Sequence, residues 1–243
     1  MDNKLRKAFN IAGTGIGLFF MGFTSPLYAQ DSSALRPLTV TTMDKYWLQV
    51  KEDSANKMLE LKTMVPGIVY DLRYSTNANF MNRSMYPEGT VVTFLRNPAA
   101  KAIRQVEEEL NRAGLGLKIF DAYRPYSVTV LFWELVHDER YVANPSKGSG
   151  HNRGIAIDLT IINKITGREL EMGTGFDNFS DTAGAYFQHL PATTLENRTL
   201  LRSLMEKNGF KVLPTEWWHF YFNDGKKYEI LDLPFKKLKD GER

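Results

Sequence analysis

The spacing of hydrophobic and polar positions changes along the chain, and each change predicts a different kind of element. Residues 59–74 alternate apolar and polar positions around a Pro-Gly pair, which predicts two extended segments joined by a turn. From Asn97 onward the apolar positions follow helical spacing, with Asn97 as the expected cap and Pro98 in the first turn. Gly114 follows the last apolar position of this stripe, so we expect the helix to end there.

Further helices and strands are predicted in the second half of the chain, without a regular order. Strand–helix–strand units do not repeat, so the pattern favours an α+β fold. We expect a single domain of this class, with a central, mainly antiparallel sheet flanked by helices. The predicted helices lie at 127–136 and 199–207, and the predicted strands at 117–123, 154–162, 210–213 and 217–222.

The N-terminus has the pattern of a secretory signal peptide. Three basic residues fall within the first seven positions, an uncharged and largely apolar run covers 9–23, and Ala29 precedes a polar stretch. This order of segments is typical of an exported precursor, so we expect a signal peptide over 1–29 that is cleaved near Ala29. The expected location is periplasmic or secreted, without stable membrane association after cleavage. An uncleaved anchor is the alternative.

No internal repeat, low-complexity tract or linker divides the rest of the sequence. We therefore expect an N-terminal extension over 30–58, one functional domain over 59–235, and a basic, solvated tail over 236–243. With 43% hydrophobic and 24% charged residues, the composition excludes a disordered or fibrous protein. The net charge of +3 is too small to indicate a nucleic-acid partner. The absence of cysteine excludes disulfides and thiolate metal sites.

Asp158 lies inside the most hydrophobic of the predicted strands. Alternation places Ile157 and Leu159 on one face of this strand and Asp158 on the other. A carboxylate in such surroundings needs a cation, a metal ion or several hydrogen-bond donors. His151 lies seven residues earlier, and on one flat strand its side chain would point to the opposite face. We expect a turn at Gly154 to bring His151 back towards Asp158.

The EWWH sequence that ends at His219 places two further polar groups in a strongly aromatic strand. Taken alone, His219 would be a hydrogen-bonded core residue and Glu216 an ion-pair partner. Together, His151, Asp158 and His219 form a common ligand set for catalytic zinc, and Glu216 could be the base for a zinc-bound water. On a flat strand Glu216 and His219 would face opposite sides, so we expect a bend near Pro214.

Arg124 comes at the end of a predicted strand, directly before Pro125. A guanidinium in this place can donate to an oxyanion that develops when an amide is attacked. A structural ion pair with Asp121 explains the same residue equally well. The residues alone leave both interpretations open.

Several motifs, in a consistent order, resemble those of the D-alanyl-D-alanine dipeptidases, a family that includes the vancomycin-resistance dipeptidases. Residues 149–158 are similar to the SxHxxGxAxD motif of these enzymes, and the EWWH sequence is similar to their ExxH motif. The resemblance implies the fold of the zinc D,D-peptidases, which is shared with the Hedgehog signalling domain. Further matches are YDLRY at 70–74, DAYRP at 121–125 and MGTGFD at 172–177.

The resemblance implies a zinc metallopeptidase. The metal ligands would be His151, Asp158 and His219, which would bind one zinc ion per chain. Glu216 would be the catalytic acid and base. The implied reaction is zinc-dependent hydrolysis of D-alanyl-D-alanine to two D-alanines, in which Glu216 assists the attack of a zinc-bound water.

The resemblance also implies how the small D,D-dipeptide substrate is held. Arg124 would stabilise the transition state, and Ser149 and Asp177 would bind the substrate. Asp177 would face the free ammonium, which disfavours peptides that are blocked at the N-terminus. This chain differs from some relatives in a shorter segment between Arg124 and His151, at the expected rim of the pocket.

Three other functions fit part of the sequence. The main alternative is an exported D,D-carboxypeptidase or endopeptidase that acts on peptidoglycan stem peptides, because that substrate lies outside the cytoplasm, where the expected signal peptide would direct this chain. A binding module with a structural zinc would not need Glu216 beside its ligand. An iron oxygenase with the same ligand set is disfavoured, because a base next to the ligand suits hydrolysis. The sequence does not indicate the oligomeric state.

Overall fold

The computed structural model describes residues 36–139 and 141–241 of the 243-residue chain. The predicted signal peptide over 1–29 lies outside the described residues and stays a prediction. Among the helices of the described part, none combines the length and the hydrophobicity that crossing a bilayer requires.

The bounds of the described elements are as follows. The helices are α1 (Met43–Glu52), α2 (Leu61–Met64), α3 (Asn97–Asn111), α4 (Tyr126–Val136), α5 (Ala192–Lys207) and α6 (Phe235–Asp240). The strands are β1 (Thr39–Val40), β2 (Met58–Glu60), β3 (Val69–Tyr70), β4 (Phe94–Arg96), β5 (Leu115–Asp121), β6 (Ala156–Asn163), β7 (Phe210–Leu213), β8 (Glu216–Phe222) and β9 (Ile230–Leu231).

A five-stranded sheet in the order β3-β5-β6-β8-β7 forms the centre of the fold. Three of its four pairings are antiparallel, and the pairing of β3 with β5 is parallel. Strands β2 and β4 form a separate antiparallel pair, and β1 and β9 form a separate parallel pair. The predicted α+β class is confirmed. The expected mainly antiparallel sheet is confirmed only in part, because one central pairing and one outer pair are parallel.

Two hydrophobic clusters fill the interior. The first joins side chains of α3 and α5 to those of the sheet, including Ile157 and Leu159 of β6. The second is rich in aromatic rings, among them Tyr74 and Phe132. Because Ile157 and Leu159 belong to the first cluster, Asp158 between them points to the other face of β6.

The region over 59–74 differs from the two predicted extended segments. Residues 61–64 form α2, because the Glu60 carboxylate accepts hydrogen bonds from the N–H and the hydroxyl of Thr63, at 2.7 and 2.8 Å. The Tyr70 hydroxyl donates to the same carboxylate at 2.7 Å. The predicted turn is present at the Pro-Gly pair, but β2 and β3 pair with other strands rather than with each other.

Helix α3 confirms the helix predicted from Asn97, with one difference at its start. Arg96 rather than Asn97 is the cap residue, and no side chain caps the first turn. The Asn97 side-chain amide donates instead to Ser54 O at 3.3 Å. Beyond the helix Gly114 has a φ of 70°, a conformation that glycine adopts without strain. The other predicted helices and strands are present, although α5 begins at residue 192 rather than at 199.

The two ends of the described chain contribute to the second cluster. Val40 and Tyr46 are buried there, and the Tyr46 hydroxyl accepts a hydrogen bond from the Met58 N–H at 2.8 Å. Leu238 of α6 is buried in the same cluster, whereas the lysines beside it are exposed. The expectation of a wholly solvated tail over 236–243 is therefore wrong for α6, because apolar positions three apart share one face of a helix.

Arg96 is a buried cation that connects three segments of the chain. Its guanidinium donates to the carbonyl oxygens of Arg153 at 2.9 Å, Asn56 at 2.6 Å and Glu229 at 3.0 Å. Burial lowers the pKa of Arg96 to about 10, so the group keeps its charge at neutral pH. This side chain ties the junction of β4 and α3 to segments that are distant in sequence.

We expect Arg96→Met to lower the free energy of unfolding by about 3 kcal/mol or more, because three part-buried backbone carbonyl groups lose a charged donor. Urea unfolding followed by tryptophan fluorescence measures this change. Arg104→Met is the matched control, since within the described part of the chain Arg104 contributes an exposed ion pair with Glu108 at 3.5 Å and no other polar contact. That variant should stay within about 0.5 kcal/mol of the parent protein. Equal stability of the two variants would contradict the structural role of Arg96.

Candidate metal centre

Strand register places three ionisable side chains in one row across the central sheet. Asp158 of β6 stands opposite Asp121 of β5 on one side and opposite His219 of β8 on the other. Residues that face one another on neighbouring strands point to the same face of a sheet. The row therefore lies on the face of β6 that is turned away from Ile157 and Leu159.

His151 reaches this row from the loop before β6. A turn closes where the Gly154 N–H donates to the His151 carbonyl at 3.1 Å. Gly154 has a φ of 69°, and a Cβ atom there would lie 2.6 Å from Met58 Sδ, so a side chain does not fit. The turn that was predicted at Gly154 is confirmed, and it brings His151 back to Asp158.

His151, Asp158 and His219 form a compact set of potential ligands, with one donor atom from each within 4.8 Å of the others. His219 Nδ1 lies 2.9 Å from Asp158 Oδ1, and His151 Nε2 lies 3.4 Å from Asp158 Oδ2. The two histidine nitrogens are 3.4 Å apart. Two imidazoles and one carboxylate in this arrangement suit a zinc ion with positions left for water or substrate.

The surroundings of these groups also fit a metal ion. His151 Nδ1 donates to Ala122 O at 2.6 Å, so the lone pair of Nε2 faces Asp158. Burial lowers the pKa of His151 to about 3, which keeps its ring neutral. Asp158 Oδ1 is buried and, despite the nearby His219, accepts no hydrogen bond from the described residues. A buried oxygen of this kind is available to a cation.

Glu216 lies beside His219, although a regular strand would point the two side chains to opposite faces. Between Val212 and Leu213 the pairing of β7 with β8 skips three residues of β8, so that strand bulges. The bulge brings Glu216 Oε2 to 3.8 Å from His219 Nδ1. The expected bend therefore exists, but it lies within β8 rather than at the turn before it. Burial raises the pKa of the Glu216 carboxyl.

Arg124 is held in the same site by Asp121. The Arg124 Nη2 and Nε atoms donate to Asp121 Oδ2 at 2.7 and 3.2 Å. The Tyr86 hydroxyl donates to the other oxygen of this carboxylate at 2.5 Å, and the ring of Phe132 lies 4.9 Å from the guanidinium. The ion pair that the sequence left open is present, and the same guanidinium lines the cavity with the potential ligands.

Asp177 and Ser149, the two predicted substrate-binding residues, also face this cavity. The Asp177 carboxylate accepts hydrogen bonds from the Tyr74 hydroxyl at 3.0 and 3.1 Å. Burial and the nearby Asp158 raise the pKa of the Asp177 carboxyl well above its usual range. Ser149 Oγ accepts from the Asn152 N–H at 3.2 Å, so Ser149 also stabilises the turn that carries His151.

A cavity of about 330 Å³ unites all seven residues that the sequence analysis singled out. The aromatic part of the cavity wall was not predicted from the sequence. These rings come from separate segments that no spacing relates, although Tyr74 lies within the YDLRY motif and could have been found there. The aromatic residues of the wall are Tyr74, Phe80, Phe132, Tyr141, Phe179 and Trp218.

The fold and the site together define a class of protein. A mixed α+β domain that presents two histidines and an aspartate, with a glutamate beside them, is the arrangement of a metallopeptidase. A family model described as D-ala-D-ala dipeptidase matches residues 54–237. The chain belongs to this family, and it is a hydrolase of the metallopeptidase type. The resemblance found in the sequence is thereby confirmed.

Relatives from several bacteria share this description. A D-alanyl-D-alanine dipeptidase of Escherichia coli is 32% identical over 72% of this chain and 89% of the relative. Those of Enterococcus faecalis and Enterococcus faecium are 29% and 30% identical, over 74% and 72% of this chain and 94% and 96% of the relatives. The solved structure of the LdcB LD-carboxypeptidase is 20% identical, with a TM-score of 0.36, over 53% of this chain and 59% of that chain.

We expect the purified protein to bind about one zinc ion per chain, and His219→Ala to lose most of it, because three protein ligands are the usual minimum for catalytic zinc. Plasma mass spectrometry after dialysis measures the metal content. Glu216→Gln is the matched control, since it changes the same strand three residues away and should keep the metal. A metal content in His219→Ala equal to that of the parent protein would contradict this site.

Proposed function

We propose that this protein hydrolyses the dipeptide D-alanyl-D-alanine to two D-alanine molecules in a zinc-dependent reaction. The observation that carries the proposal is the convergence of the potential metal ligands with Glu216, Arg124 and Asp177 in one cavity of about 330 Å³. The substrate is supported by membership of a family whose relatives are described as D-alanyl-D-alanine dipeptidases.

His151, Asp158 and His219 are the residues that would hold the zinc ion. The chemistry that zinc supplies when bound is polarisation of the scissile carbonyl and acidification of a water molecule. The hydrogen bond from His151 Nδ1 to Ala122 O fixes the orientation of the ring. It also leaves the lone pair of Nε2 available to a metal ion. The three side chains come from β6, β8 and the turn before β6, so the packed sheet keeps them close together.

Glu216 would carry the proton between the reactants. Its carboxylate lies next to His219 and faces the cavity, within reach of a water molecule that attacks the amide. Burial raises the pKa of this carboxyl, which makes it a stronger proton acceptor than an exposed glutamate. Glu216 would take a proton from the attacking water and deliver it to the nitrogen of the leaving D-alanine.

Arg124 would stabilise the negative charge that develops on the carbonyl oxygen. The ion pair with Asp121 and the hydrogen bond from Tyr86 to that carboxylate hold the guanidinium in one place. A cation that is already oriented stabilises developing charge without reorganisation. The pairing with Asp121 therefore supports the role of Arg124 in the reaction.

Asp177 would bind the free ammonium of the dipeptide, whose positive charge favours the ionised form of this buried carboxyl. Ser149 would be a further contact in the same cavity. The single hydroxyl proton of Tyr74, shared between the two carboxylate oxygens, holds the Asp177 carboxylate towards the cavity. A blocked amine carries no charge to pair with this carboxylate, and its blocking group needs additional room. The cavity is therefore suited to a short peptide with a free N-terminus.

We expect Glu216→Gln to lower kcat by about 10³-fold or more, because the amide cannot accept a proton, while metal content stays unchanged. Release of D-alanine from the free dipeptide, measured with and without a chelator, gives the rates. A kcat within a few-fold of the parent enzyme would show that another group moves the proton.

We expect Asp177→Asn to raise KM for the free dipeptide by about 10- to 100-fold, because a charge-assisted hydrogen bond to the ammonium is lost. Asparagine is the appropriate substitution, since it keeps the size of the side chain and tolerates the same backbone conformation. The kcat/KM for N-acetyl-D-alanyl-D-alanine should change little, so the preference for the free amine should fall. If the preference for the free dipeptide over the acetylated one stays constant, the ammonium does not bind at Asp177.

The second candidate function is an exported D,D-carboxypeptidase or endopeptidase acting on peptidoglycan stem peptides. It is favoured by the proposed signal peptide over 1–29 and by a second cavity of about 480 Å³, which shares Glu216, Tyr141 and Phe179 with the first. A longer peptide would have room there. Comparing kcat/KM for the free dipeptide with kcat/KM for a pentapeptide ending in D-alanyl-D-alanine distinguishes the two functions. A higher value for the pentapeptide would favour the second function.

A further inference from the structure

Asp177 has an unusual backbone conformation. Its φ of 58° lies in the left-handed region, which residues other than glycine adopt infrequently. Such conformations persist where the surrounding structure fixes them, and they occur often at ligand-binding sites. The contacts that hold this part of the chain therefore bear on how Asp177 faces the cavity.

Arg198 of α5 fixes the chain on both sides of Asp177. Its guanidinium is buried, and Nε donates to Met172 O at 2.7 Å, five residues before Asp177. Nη1 and Nη2 donate to Gly184 O at 3.0 Å and to Thr182 O at 2.9 Å, after Asp177. One side chain thus connects the two ends of the loop over 172–184, which we name the Asp177 loop.

Trp217 of β8 holds the same loop from the sheet. Its indole N–H donates to Thr174 Oγ1 at 2.8 Å, and its ring lies 5.8 Å from the Arg198 guanidinium. Trp217 directly follows Glu216 in β8, so the Asp177 loop is joined to the strand that also carries Glu216 and His219.

We propose that Arg198 is a positioning residue for substrate binding, which holds the Asp177 loop so that the Asp177 carboxylate meets the ammonium of the dipeptide. Arg198 does not line the catalytic cavity, so it acts through Asp177 rather than on the substrate. This inference rests on the proposed function of Asp177. Three carbonyl acceptors at the two ends of one loop are the contacts that carry it.

The first test is the kinetics of Arg198→Gln in the full-length, metal-loaded protein. We expect KM for free D-alanyl-D-alanine to rise about 10-fold, because a small displacement of Asp177 weakens its contact with the ammonium. The kcat and the metal content should stay within about twofold, since the ligands and Glu216 are not changed. An unchanged KM would overturn the proposal.

Arg202→Gln is the matched control. Arg202 lies one turn further along α5. Its guanidinium donates to Ala185 O at 3.0 Å, just outside the Asp177 loop, and lies 4.9 Å from the ring of Tyr186. Its replacement removes an arginine from the same helix and one backbone contact, yet KM should stay within about twofold of the parent value. An equal rise of KM in both variants would show a general effect of α5 and would overturn the specific role of Arg198.

The second test asks whether Arg198 acts through Asp177. When two residues act through one contact, their effects are not additive, so Asp177→Asn combined with Arg198→Gln should match Asp177→Asn alone within about twofold. If the rise of KM in the double variant equals the product of the rises in the two single variants, Arg198 acts independently of Asp177. That result would overturn the proposal. If Asp177→Asn itself leaves KM unchanged, the proposed function of Asp177 fails as well. If only Arg198→Gln has no effect, this inference alone fails.

A milder variant keeps the proposal testable should Arg198→Gln not fold. Thr174→Val removes the acceptor of the Trp217 indole but keeps the shape of the side chain, and it leaves the three bonds of Arg198 in place. Because it loosens the same loop from the other side, KM should rise about threefold with kcat unchanged. If Arg198→Gln does not fold and Thr174→Val leaves KM at the parent value, the proposal is overturned.

Discussion

The register of β5, β6 and β8 is the constraint on which the site depends. Asp121, Asp158 and His219 stand opposite one another only in this register, and a slip of one residue would turn one of them to the other face of the sheet. When the slipping strand is β6, Ile157 and Leu159 also leave the first hydrophobic cluster. The packing that stabilises the sheet therefore also fixes the geometry of the site.

Two buried carboxylates on neighbouring strands take different roles because their partners differ. Asp121 is paired with Arg124 and accepts a hydrogen bond from Tyr86, so its charge is used to orient a guanidinium. Asp158 is placed between His151 and His219, and one of its oxygens is free of hydrogen bonds from the described residues. Like charges this close would destabilise the site without separate cations to balance them. A guanidinium balances one carboxylate, and a divalent metal ion would balance the other.

Local pattern predicted much of the fold, and pattern and family resemblance together singled out seven side chains that line one cavity. The alternation in β6 and the helical spacing of α3 each follow from a short stretch of sequence, and the motifs identified the potential ligands. The position of Glu216 beside His219 could not be predicted from the two-residue alternation of side chains along a strand, because it arises from a bulge in β8. Helix α2 depends on the single carboxylate of Glu60, and the aromatic wall depends on tertiary packing of rings such as Phe80 and Phe179. Neither leaves a periodic signal.

The hydrogen bond between Tyr46 and Met58 has a consequence for the limits of the folding unit. The family match begins at residue 54, after α1, yet the Tyr46 hydroxyl of that helix anchors the backbone of Met58. The Met58 side chain occupies the space that Gly154 leaves open beneath the turn of His151. Through Met58, the first helix thus supports the turn that carries His151, although this helix lies before the residues that the family model matches.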